Sequence, residues 1–375
     1  MLSFLENMNS TYGGPAFSLP NLLHTLSSKY KIENSIISLK KKGGGVDNKL
    51  VNELNVSTIL YDQFGPDKIK FTTESNVISE LAKNYDVIHT NNLWNYFSYL
   101  PHKLSEVSKK PNIISVRGAL YPWSLNQSQT LKRISWSLFQ RRALEKAGFI
   151  HVTCAEEYQA VRDLGIKNRI VISQHGVDVP ALLTSDNIPS EFYKKYGLSK
   201  EKRYFLFMSR LHTKKGLDFL LKVWGRLLEK HPEWTLLIAG PDYGGYVSKI
   251  NKMPGKSVKY MGMLEGDDKE NCFAISEFFV LPSFSENFGV VVGEAMARAV
   301  PVLTTTNTPW QIINERDAGV CFELSEENVN NELIKFLSAD SAILRIMGQN
   351  ARKLICDNYS WDQVSYPFYE AIKSL

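Results

Sequence analysis

Two glutamates flank a glycine and an apolar run in PSFSENFGVVVGEAMARAVPV, the stretch from Pro282 to Val302. Glu286 comes before Gly289, and Glu294 comes after it. An ionised carboxylate accepts several hydrogen bonds at once, which suits it to binding the hydroxyl groups of a ligand. Two such groups so close together in the chain mark this stretch as a candidate binding site.

A second stretch, SRLHTKKGLDFL, carries two cations around a turn that leads into a helix. Arg210 and Lys215 flank the turn, and Gly216 permits close approach of the backbone. Two cations at the start of a helix suit a diphosphate, because charge-assisted hydrogen bonds add to the effect of the helix dipole. Either cation alone would be interpreted as a solvated loop charge. The two glutamates in the same half of the chain make that interpretation the weaker one.

The two glutamates lie close to the end of a predicted strand. EFFVLPS is an apolar run of strand length, residues 283–287 form a polar turn, GVVVGEAMARA is rich in helix formers, and VPVLTTT is another strand. Strand, turn, helix and strand make one parallel α/β unit. Ligands of such sheets bind beyond the carboxyl ends of the strands, so both glutamates are predicted at the right edge for chemistry.

Composition limits the protein class. A length of 375 residues favours two domains, and 43% hydrophobic with 22% charged residues is typical of a soluble globular protein. The net charge of +5 is compatible with anionic small molecules or a membrane surface, whereas a nucleic-acid binder would need a denser basic stripe. The four scattered cysteines indicate reduced thiols in the cytosol. No apolar run approaches the length of a membrane span, and MLSFLENMNS lacks the basic start of a secretion signal.

Strands alternate with helical stretches in both halves of the chain. YDVIHT, NIISVRG, FIHVTC and IVISQHGVDV are strand-like in the first half, followed by YFLFMS, WTLLIAG, VKYMGM, EFFVLP and VPVLTTT in the second. The polar stretch from Pro180 to Lys202 separates the two sets and is the predicted linker. The expected fold class is α/β, with two Rossmann-like domains facing across a cleft.

Four stretches together resemble the retaining family-4 glycosyltransferases, whose GT-B architecture has two Rossmann-like domains. SRLHTKKG is similar to the arginine and lysine loop of that family, and SENFGVVVGEAMARAVPV to its E-x7-E signature. YGGPAFSLPNLLHTL resembles its N-terminal glycine loop, and YSWDQVSYPFYEAI its closing helix, which crosses back to the first domain. The resemblance covers nearly the whole chain. It implies an acceptor domain over 1–180, a donor domain over 196–356 and a returning C-terminal helix over 357–375.

The resemblance also implies a role for each charged residue of the donor site. Glu294 would accept hydrogen bonds from the ribose of a nucleotide, and Glu286 would bind hydroxyls of the donor sugar. The alternative for Glu286 is a carboxylate that stabilises the helix dipole. Arg210 and Lys215 would neutralise the charge that develops on the leaving diphosphate, and backbone N–H groups of residues 287–291 would bind it too. Glu286, Arg210 and Lys215 are therefore the predicted catalytic residues.

The full donor-binding set implied by the resemblance comprises glycine-loop, strand-end and helix-start residues of both domains. It consists of Gly13, Gly14, Arg210, Lys215, Gly262, Met263, Glu286, Asn287, Phe288, Gly289, Val290 and Glu294. The substrate would be a UDP- or GDP-linked sugar, with no further cofactor. No two aspartates are separated by a single residue, so the Asp-x-Asp metal site of the other large glycosyltransferase architecture is missing. Transfer without a metal is expected.

The acceptor side is predicted from residues that follow strands of the first half. Many members of the family have a histidine where this chain has Arg117, and an arginine does not act as a base at ordinary pH. Arg117 is predicted to bind a diphosphate or an acidic acceptor, or else to pair with a nearby carboxylate. Asn91, Trp94 and Trp123 complete the predicted acceptor-binding set. The two tryptophans would either stack on a sugar ring or belong to the core.

The stretch TLKRISWSLFQRRALEKAGF is amphipathic, because cations alternate with apolar residues along it. Its cations are Lys132, Arg133, Arg141, Arg142 and Lys146. Such a helix would rest on an anionic membrane surface, where lipid-linked glycan acceptors are found, or pack on its sheet as an ordinary surface helix.

These features predict a cytoplasmic glycosyltransferase, with peripheral contact to the inner face of the membrane. It would transfer a sugar to a glycan or a lipid-linked acceptor in the biosynthesis of a surface polysaccharide such as lipopolysaccharide. Two alternatives stay open: a sugar-nucleotide epimerase of the same architecture, and a nucleotide-sugar binding protein without turnover. A dinucleotide oxidoreductase fits poorly, because no G-x-G-x-x-G follows a first strand.

Overall fold

The computed structural model divides the chain into two compact units. The first unit combines Met1–Gly176 with the C-terminal segment Trp361–Leu375, and the second unit is Val177–Ser360. The structure describes residues 1–9, 14–40, 51, 54–62, 75–253, 257–286 and 288–375.

The first unit is built on a parallel sheet. Its strands among the described residues are β1 (Leu2–Phe4), β2 (Ser35–Lys40), β3 (Ser57–Asp62), β4 (Ile88–Asn91), β5 (Asn112–Ser115), β6 (Phe149–Val152) and β7 (Ile170–Ile172). They lie in the order β3-β2-β1-β4-β5-β6-β7. The four central strands β1, β4, β5 and β6 are buried along their whole length, as is typical of a parallel sheet covered on both faces.

Helices cover this sheet on both sides. In chain order they are α1 (Gly14–Tyr30), α2 (Ser75–Ala82), α3 (Tyr96–Ser108), α4 (Pro122–Asn126), α5 (Gln129–Ser135), α6 (Arg141–Lys146) and α7 (Ala155–Asp163), with a π-helical segment at Trp136–Gln140. The C-terminal helix, Trp361–Lys373, belongs to this unit and packs on α1, where the rings of Tyr30 and Tyr369 stack at 4.0 Å. The predicted return of the C-terminal helix to the first unit is therefore confirmed.

The second unit repeats the plan with the strand order of a dinucleotide-binding fold. Its strands are β8 (Arg203–Met208), β9 (Trp234–Ala239), β10 (Val258–Gly262), β11 (Ser276–Leu281), β12 (Val302–Thr305) and β13 (Gly319–Phe322). The described strands lie in the parallel order β10-β9-β8-β11-β12-β13. The order reverses between β8 and β11, and the crevice at such a switch point is where ligands of open α/β sheets bind.

The helices of the second unit include one that the sequence analysis assigned to a linker. They are α8 (Ser190–Tyr196), α9 (Leu217–Leu227), α10 (Tyr246–Ile250), α11 (Gly266–Ala274), α12 (Val290–Ala297), α13 (Ile312–Glu315), α14 (Glu326–Ser338) and α15 (Ser341–Asn358), with 3-10 turns at Ser185–Asn187 and Thr213–Lys215. The predicted linker from Pro180 to Lys202 is wrong in its second half. Phe192 and Tyr193 of α8 are buried in the core of this unit. Because polar residues surround these two aromatic residues in the sequence, the stretch showed no apolar periodicity.

Ala299, between α12 and β12, has a left-handed backbone with φ 57°. This conformation costs a residue with a Cβ about 1–2 kcal/mol, whereas glycine adopts it freely. We expect Ala299→Gly to raise the free energy of unfolding by about 0.5–1 kcal/mol. This gain is the relief of backbone strain minus the cost of ordering glycine, which is more flexible than alanine in the unfolded chain. Chemical denaturation of the full chain measures the change.

The matched control for this prediction is Ala295→Gly, at a buried position inside α12. Glycine in a helix interior is less favourable than alanine by about 1 kcal/mol, so this variant should unfold at a lower denaturant concentration. If Ala299→Gly destabilised the chain as much as Ala295→Gly, the backbone at residue 299 would not be strained.

Candidate functional site

The basic loop (residues 209–216) and the glutamate turn (residues 282–289) follow neighbouring strands of the sheet in the second unit. β8 and β11 pair in parallel, with Leu206 opposite Phe279, so both strands end at the same edge. Residues 209–216 follow β8, and residues 282–289 follow β11. The sequence prediction that these two stretches share a ligand-binding edge therefore has a direct structural basis.

Backbone contacts pin the two loops together. Gly216 has φ 72°, and a Cβ at this position would lie 1.8 Å from the carbonyl oxygen of Pro282. The amide of Phe284 donates a hydrogen bond of 2.9 Å to the carbonyl of Lys214, and the hydroxyl of the buried Ser283 donates one of 3.1 Å to the same oxygen. Any residue larger than glycine at position 216 would push these loops apart.

Lys215 and Glu286 form an ion pair across the pinned loops. The Nζ of Lys215 donates to the Oε1 of Glu286, and the two side chains keep only 13% and 11% of their surface exposed. The sequence analysis predicted both residues at the donor site but did not predict that they bind each other. The pair orients both groups in the ligand-free chain. A diphosphate bound by Lys215 would therefore compete with a carboxylate that is already in place.

Arg210 is the second cation predicted in this loop, and it is placed differently. Arg210 is exposed, and its guanidinium has no hydrogen bond or ion pair with any residue that the structure describes. It adds positive charge near the end of β8 without being fixed there. The structure therefore brings Lys215 and Glu286 into contact, and it leaves Arg210 outside that contact.

The start of α12 is set by glycine and tryptophan. Gly289 has φ 73°, and a Cβ there would lie 3.5 Å from both the Cγ of Glu286 and the Nε1 of Trp310. The indole of the buried Trp310 donates a hydrogen bond of 2.5 Å to the carbonyl of Phe288. Gly289 is the N-cap residue of α12, and no side chain caps this end of the helix at that position. Val290, in the first turn, is partly exposed. Asn287, also predicted at the donor site, lies outside the described residues.

Glu294 has a partner that the sequence analysis missed. The Nζ of Lys269, on α11, donates a hydrogen bond of 2.8 Å to the Oε1 of Glu294, and each side chain is 25% exposed. Nothing in the sequence GDDKENCFA marks this lysine, because its contact depends on how α11 packs beside α12. A carboxylate accepts several hydrogen bonds, so Glu294 can hold Lys269 and still bind a hydroxyl group.

The other predicted donor residues lie on other elements of the two units or outside the described residues. Gly262 ends the edge strand β10, with φ 74°, and Met263 after it is 64% exposed. Gly14 begins α1 in the first unit, and Gly13 lies outside the described residues.

In the first unit, the predicted acceptor residues follow β4 and β5. Arg117 has φ 51° and donates hydrogen bonds to Ser18 and Asn91, at 2.9 and 3.0 Å. Trp94 is half-buried, and its indole donates to the carbonyl of Ala119 at 3.0 Å, so its polar end is already bound. The side chain of Trp123 lies outside the description.

A comparison with protein families finds a match within the second unit. Residues 190–354 match the family model described as Glycosyl transferases group 1. This stretch contains the basic loop, the glutamate turn and α12. The described residues contain no group of three or more histidine, cysteine, aspartate or glutamate side chains arranged to hold a metal ion.

A curated relative supports the same class. One relative is the GDP-mannose-dependent monoacylated alpha-(1-6)-phosphatidylinositol monomannoside mannosyltransferase of Corynebacterium glutamicum. The two chains are 28% identical over 179 residues, and the aligned stretch covers 45% of this chain and 46% of the relative. The chain spans about half the length of the first curated relatives that it matches. The predicted class, a transferase, agrees with the family model and with the names of these relatives.

Solved structures match over the whole chain. Sucrose-phosphate synthase from Thermosynechococcus elongatus superposes with a TM-score of 0.75 at 16% identity, covering 100% of this chain and 98% of the other. HepE of Anabaena, solved in complex with UDP, gives a TM-score of 0.74 at 17% identity and covers 100% of both chains. At identities this low, the similarity is evidence for a shared fold alone. The predicted fold class, two Rossmann-like units as in GT-B glycosyltransferases, is confirmed.

Proposed function

We propose that the chain is a retaining glycosyltransferase that moves a sugar from a UDP- or GDP-linked donor to a glycan or a lipid-linked acceptor. The observation that carries the proposal is the pair Lys215–Glu286, pinned between the ends of β8 and β11 within the matched stretch 190–354. In this proposal Lys215 and Arg210 neutralise the leaving diphosphate, Glu286 binds the donor sugar, and Glu294 binds the ribose. HepE of Anabaena was solved with UDP, which supports a nucleoside diphosphate as the ligand class.

A panel of nucleotide sugars tests the donor. UDP-, GDP-, ADP- and dTDP-linked sugars are added to the full chain, and the melting temperature is measured for each. A ligand that binds the folded state alone raises the melting temperature according to its concentration and affinity. We expect one base to stabilise the chain clearly more than the others. No stabilisation by any nucleotide sugar or nucleoside diphosphate at millimolar concentration would contradict the proposal.

Metal dependence provides a separate test. We expect the activity to survive EDTA, because Lys215 and Arg210, rather than a divalent cation, would neutralise the leaving diphosphate. The rate of nucleoside diphosphate release is measured before and after EDTA, and again after magnesium or manganese is added back. Activity that EDTA abolishes and either metal restores would show that the charge is neutralised in another way.

The acceptor is proposed to be membrane-bound, with the protein at the inner face of the cytoplasmic membrane. Among the described residues, no helix combines the length and the apolar character that a membrane span requires. The segment 129–146 instead exposes three apolar side chains beside cations: Leu131 and Ile134 are each 52% exposed and Leu138 is 75% exposed. Arg133 in the same segment is exposed and pairs with no described carboxylate, so the segment complements an anionic bilayer. The name of the Corynebacterium relative includes a monoacylated phosphatidylinositol monomannoside, which supports a lipid-linked acceptor here.

Leu138→Asp tests the membrane contact. Burying a leucine side chain contributes about 1.5–3 kcal/mol, so the aspartate should weaken binding to vesicles of phosphatidylglycerol and phosphatidylcholine by roughly tenfold or more. Co-sedimentation with the vesicles measures the binding. The control is Ile346→Asp, an exposed position on α15 of the second unit, which should bind as the wild type does. Equal binding by both variants and the wild type would contradict this surface.

The two alternative functions separate by their products. An epimerase would convert one nucleotide sugar into another without releasing nucleoside diphosphate, and a binding protein would release nothing. The family model and the names of the relatives favour transfer over both. Release of nucleoside diphosphate that depends on an acceptor distinguishes transfer from either alternative.

A further inference from the structure

Arg117 of the first unit carries a positive charge with neutral partners. Its Nη1 donates to the hydroxyl of Ser18 on α1, and its Nη2 donates to the Oδ1 of Asn91 at the end of β4. Among the described residues, no carboxylate lies within 4.0 Å of the guanidinium. The prediction that Arg117 pairs with a nearby carboxylate is therefore not met by the described part of the chain. A charge removed from water needs a counterion or it lowers stability.

Two hydrogen-bond donors at this place have no partner among the residues that the structure describes. The Nε of Arg117 and the Nδ2 of Asn91 are both buried without a hydrogen bond to any of them, and Asn91 is 2% exposed. The orientation of the Asn91 amide is fixed by its own contact, because its oxygen accepts from Arg117. Buried donors in native proteins nearly always have a partner, so these two donors are available to an ordered water or to a ligand.

The carboxylate that acts on the charge of Arg117 is that of Glu157 on α7. Its Oε2 accepts hydrogen bonds from the amide and the hydroxyl of Thr153, at 2.6 and 2.9 Å, and its Oε1 has no partner among the described residues. Burial lowers the pKa of Arg117 to about 10, and the Glu157 carboxylate only partly opposes this effect. Arg117 is thus still charged at neutral pH, and its charge is incompletely balanced.

The backbone at this position is also strained. Arg117 has φ 51°, a left-handed conformation that is unfavourable for any residue with a Cβ, and Gly118 follows with φ 73°. Arg117 lies just past the carboxyl ends of β4 and β5, the edge where parallel sheets bind ligands. Strained backbones cluster at active sites and ligand-binding sites, which is consistent with a functional role here.

We propose that Arg117 and Asn91 form a binding site for a phosphate or diphosphate group of a substrate. A guanidinium matches an oxyanion in charge and in the geometry of its donors, and the free Nδ2 of Asn91 adds a further donor beside it. The identity of the substrate rests on the proposed function. The group is either the diphosphate of the nucleotide-sugar donor or the phosphate that links a lipid-linked acceptor.

Stability without a ligand gives the first test. Arg117→Gln removes an incompletely balanced charge and keeps a polar side chain beside Ser18, so its melting temperature should stay within about 2 °C of the wild type or exceed it. Arg133→Gln, at an exposed position without an ion pair to a described residue, is the matched control and should not change the melting temperature. A fall of many degrees for Arg117→Gln would show a structural role and overturn the proposal.

Inorganic pyrophosphate gives the second test, and it does not depend on glycosyl transfer. The Lys215→Ala variant weakens the site of the second unit, and pyrophosphate should still raise the melting temperature of that variant. Adding Arg117→Gln should abolish this stabilisation, whereas adding Arg117→Lys should preserve part of it. Stabilisation that is unchanged by Arg117→Gln would overturn the proposal even if the proposed function is correct.

The source of the phosphate is distinguished by calorimetry and kinetics. If Arg117→Gln weakens the binding of UDP or GDP tenfold or more, the group belongs to the donor. If nucleoside diphosphate affinity is unchanged and the KM for a lipid-linked acceptor rises tenfold or more, the group belongs to the acceptor. If neither value changes, the proposal is wrong.

Discussion

Lys215→Ala should lower the turnover of the nucleotide sugar by more than tenfold and weaken the binding of nucleoside diphosphate. A tenfold loss corresponds to about 1.4 kcal/mol of transition-state stabilisation. Two reasons lead us to expect a large effect. The substitution removes the cation that faces the proposed diphosphate. It also leaves Glu286, which is only 11% exposed, without its ion-pair partner and free to repel a second negative group.

Lys214→Ala is the matched control for this prediction. Lys214 is the neighbouring residue, is exposed, and has no ion pair with any residue that the structure describes. The backbone contacts of its carbonyl with Phe284 and Ser283 are kept when the side chain is removed. We expect kcat and KM of Lys214→Ala to stay within about twofold of the wild type. Unchanged kinetics in a folded Lys215→Ala variant would remove Lys215 from the donor site.

Glu286→Gln and Glu294→Gln should affect different kinetic constants. Glu286 is proposed to contact the sugar, whose charge and shape change in the transition state, so its substitution should mainly lower kcat. Glu294 is proposed to contact the ribose, which is bound about equally before and during the reaction. Glu294→Gln should therefore mainly raise the donor KM, by roughly tenfold, since a hydrogen bond to a charged group contributes about 1.5–3 kcal/mol.

The ion pairs of the two glutamates sharpen this prediction. Glu286→Gln keeps an acceptor beside Lys215 but removes the competing charge, so the affinity for free nucleoside diphosphate should be preserved. Glu294→Gln leaves Lys269 without its carboxylate, so the melting temperature is measured in parallel. Glu315→Gln, at an exposed position, serves as the control. If Glu286→Gln lost diphosphate affinity as severely as Glu294→Gln, with no separate effect on kcat, the division of roles would be wrong.

All the strands described in the second unit except β13 were predicted, because a buried parallel strand is a continuous apolar run. EFFVLP and YFLFMS match β11 and β8, and their adjacency in the sheet explains why two distant stretches carry one site. β1, β2 and β3 of the first unit were not predicted. β1 has three residues, and no residue of β3 is fully buried, so neither gives a strong periodic signal. β2 is buried at five of its six residues, but two of those five are serines, which interrupt its apolar run.

The contacts inside the candidate site were less accessible from the sequence. The motifs indicated Lys215, Glu286 and Glu294 as individual residues, but the direct ion pair between the first two depends on how closely the backbone at Gly216 approaches Pro282. Lys269 lies on a helix without a motif, and its contact with Glu294 follows from helix packing. Such pairings depend on side-chain geometry that spacing in the chain does not determine.

The measurement that tests sugar transfer most directly is incorporation of label from the nucleotide sugar that stabilises the chain most. The full chain is incubated with this labelled donor and with membrane lipids as the acceptor source, and the lipid fraction and the nucleoside diphosphate are both quantified. The proposed function predicts that label enters the lipid or glycan fraction, that nucleoside diphosphate is released in equal amount, and that Lys215→Ala reduces both by more than tenfold. Tight donor binding with no incorporation, and with no release of nucleoside diphosphate above that of heat-inactivated protein, would contradict it.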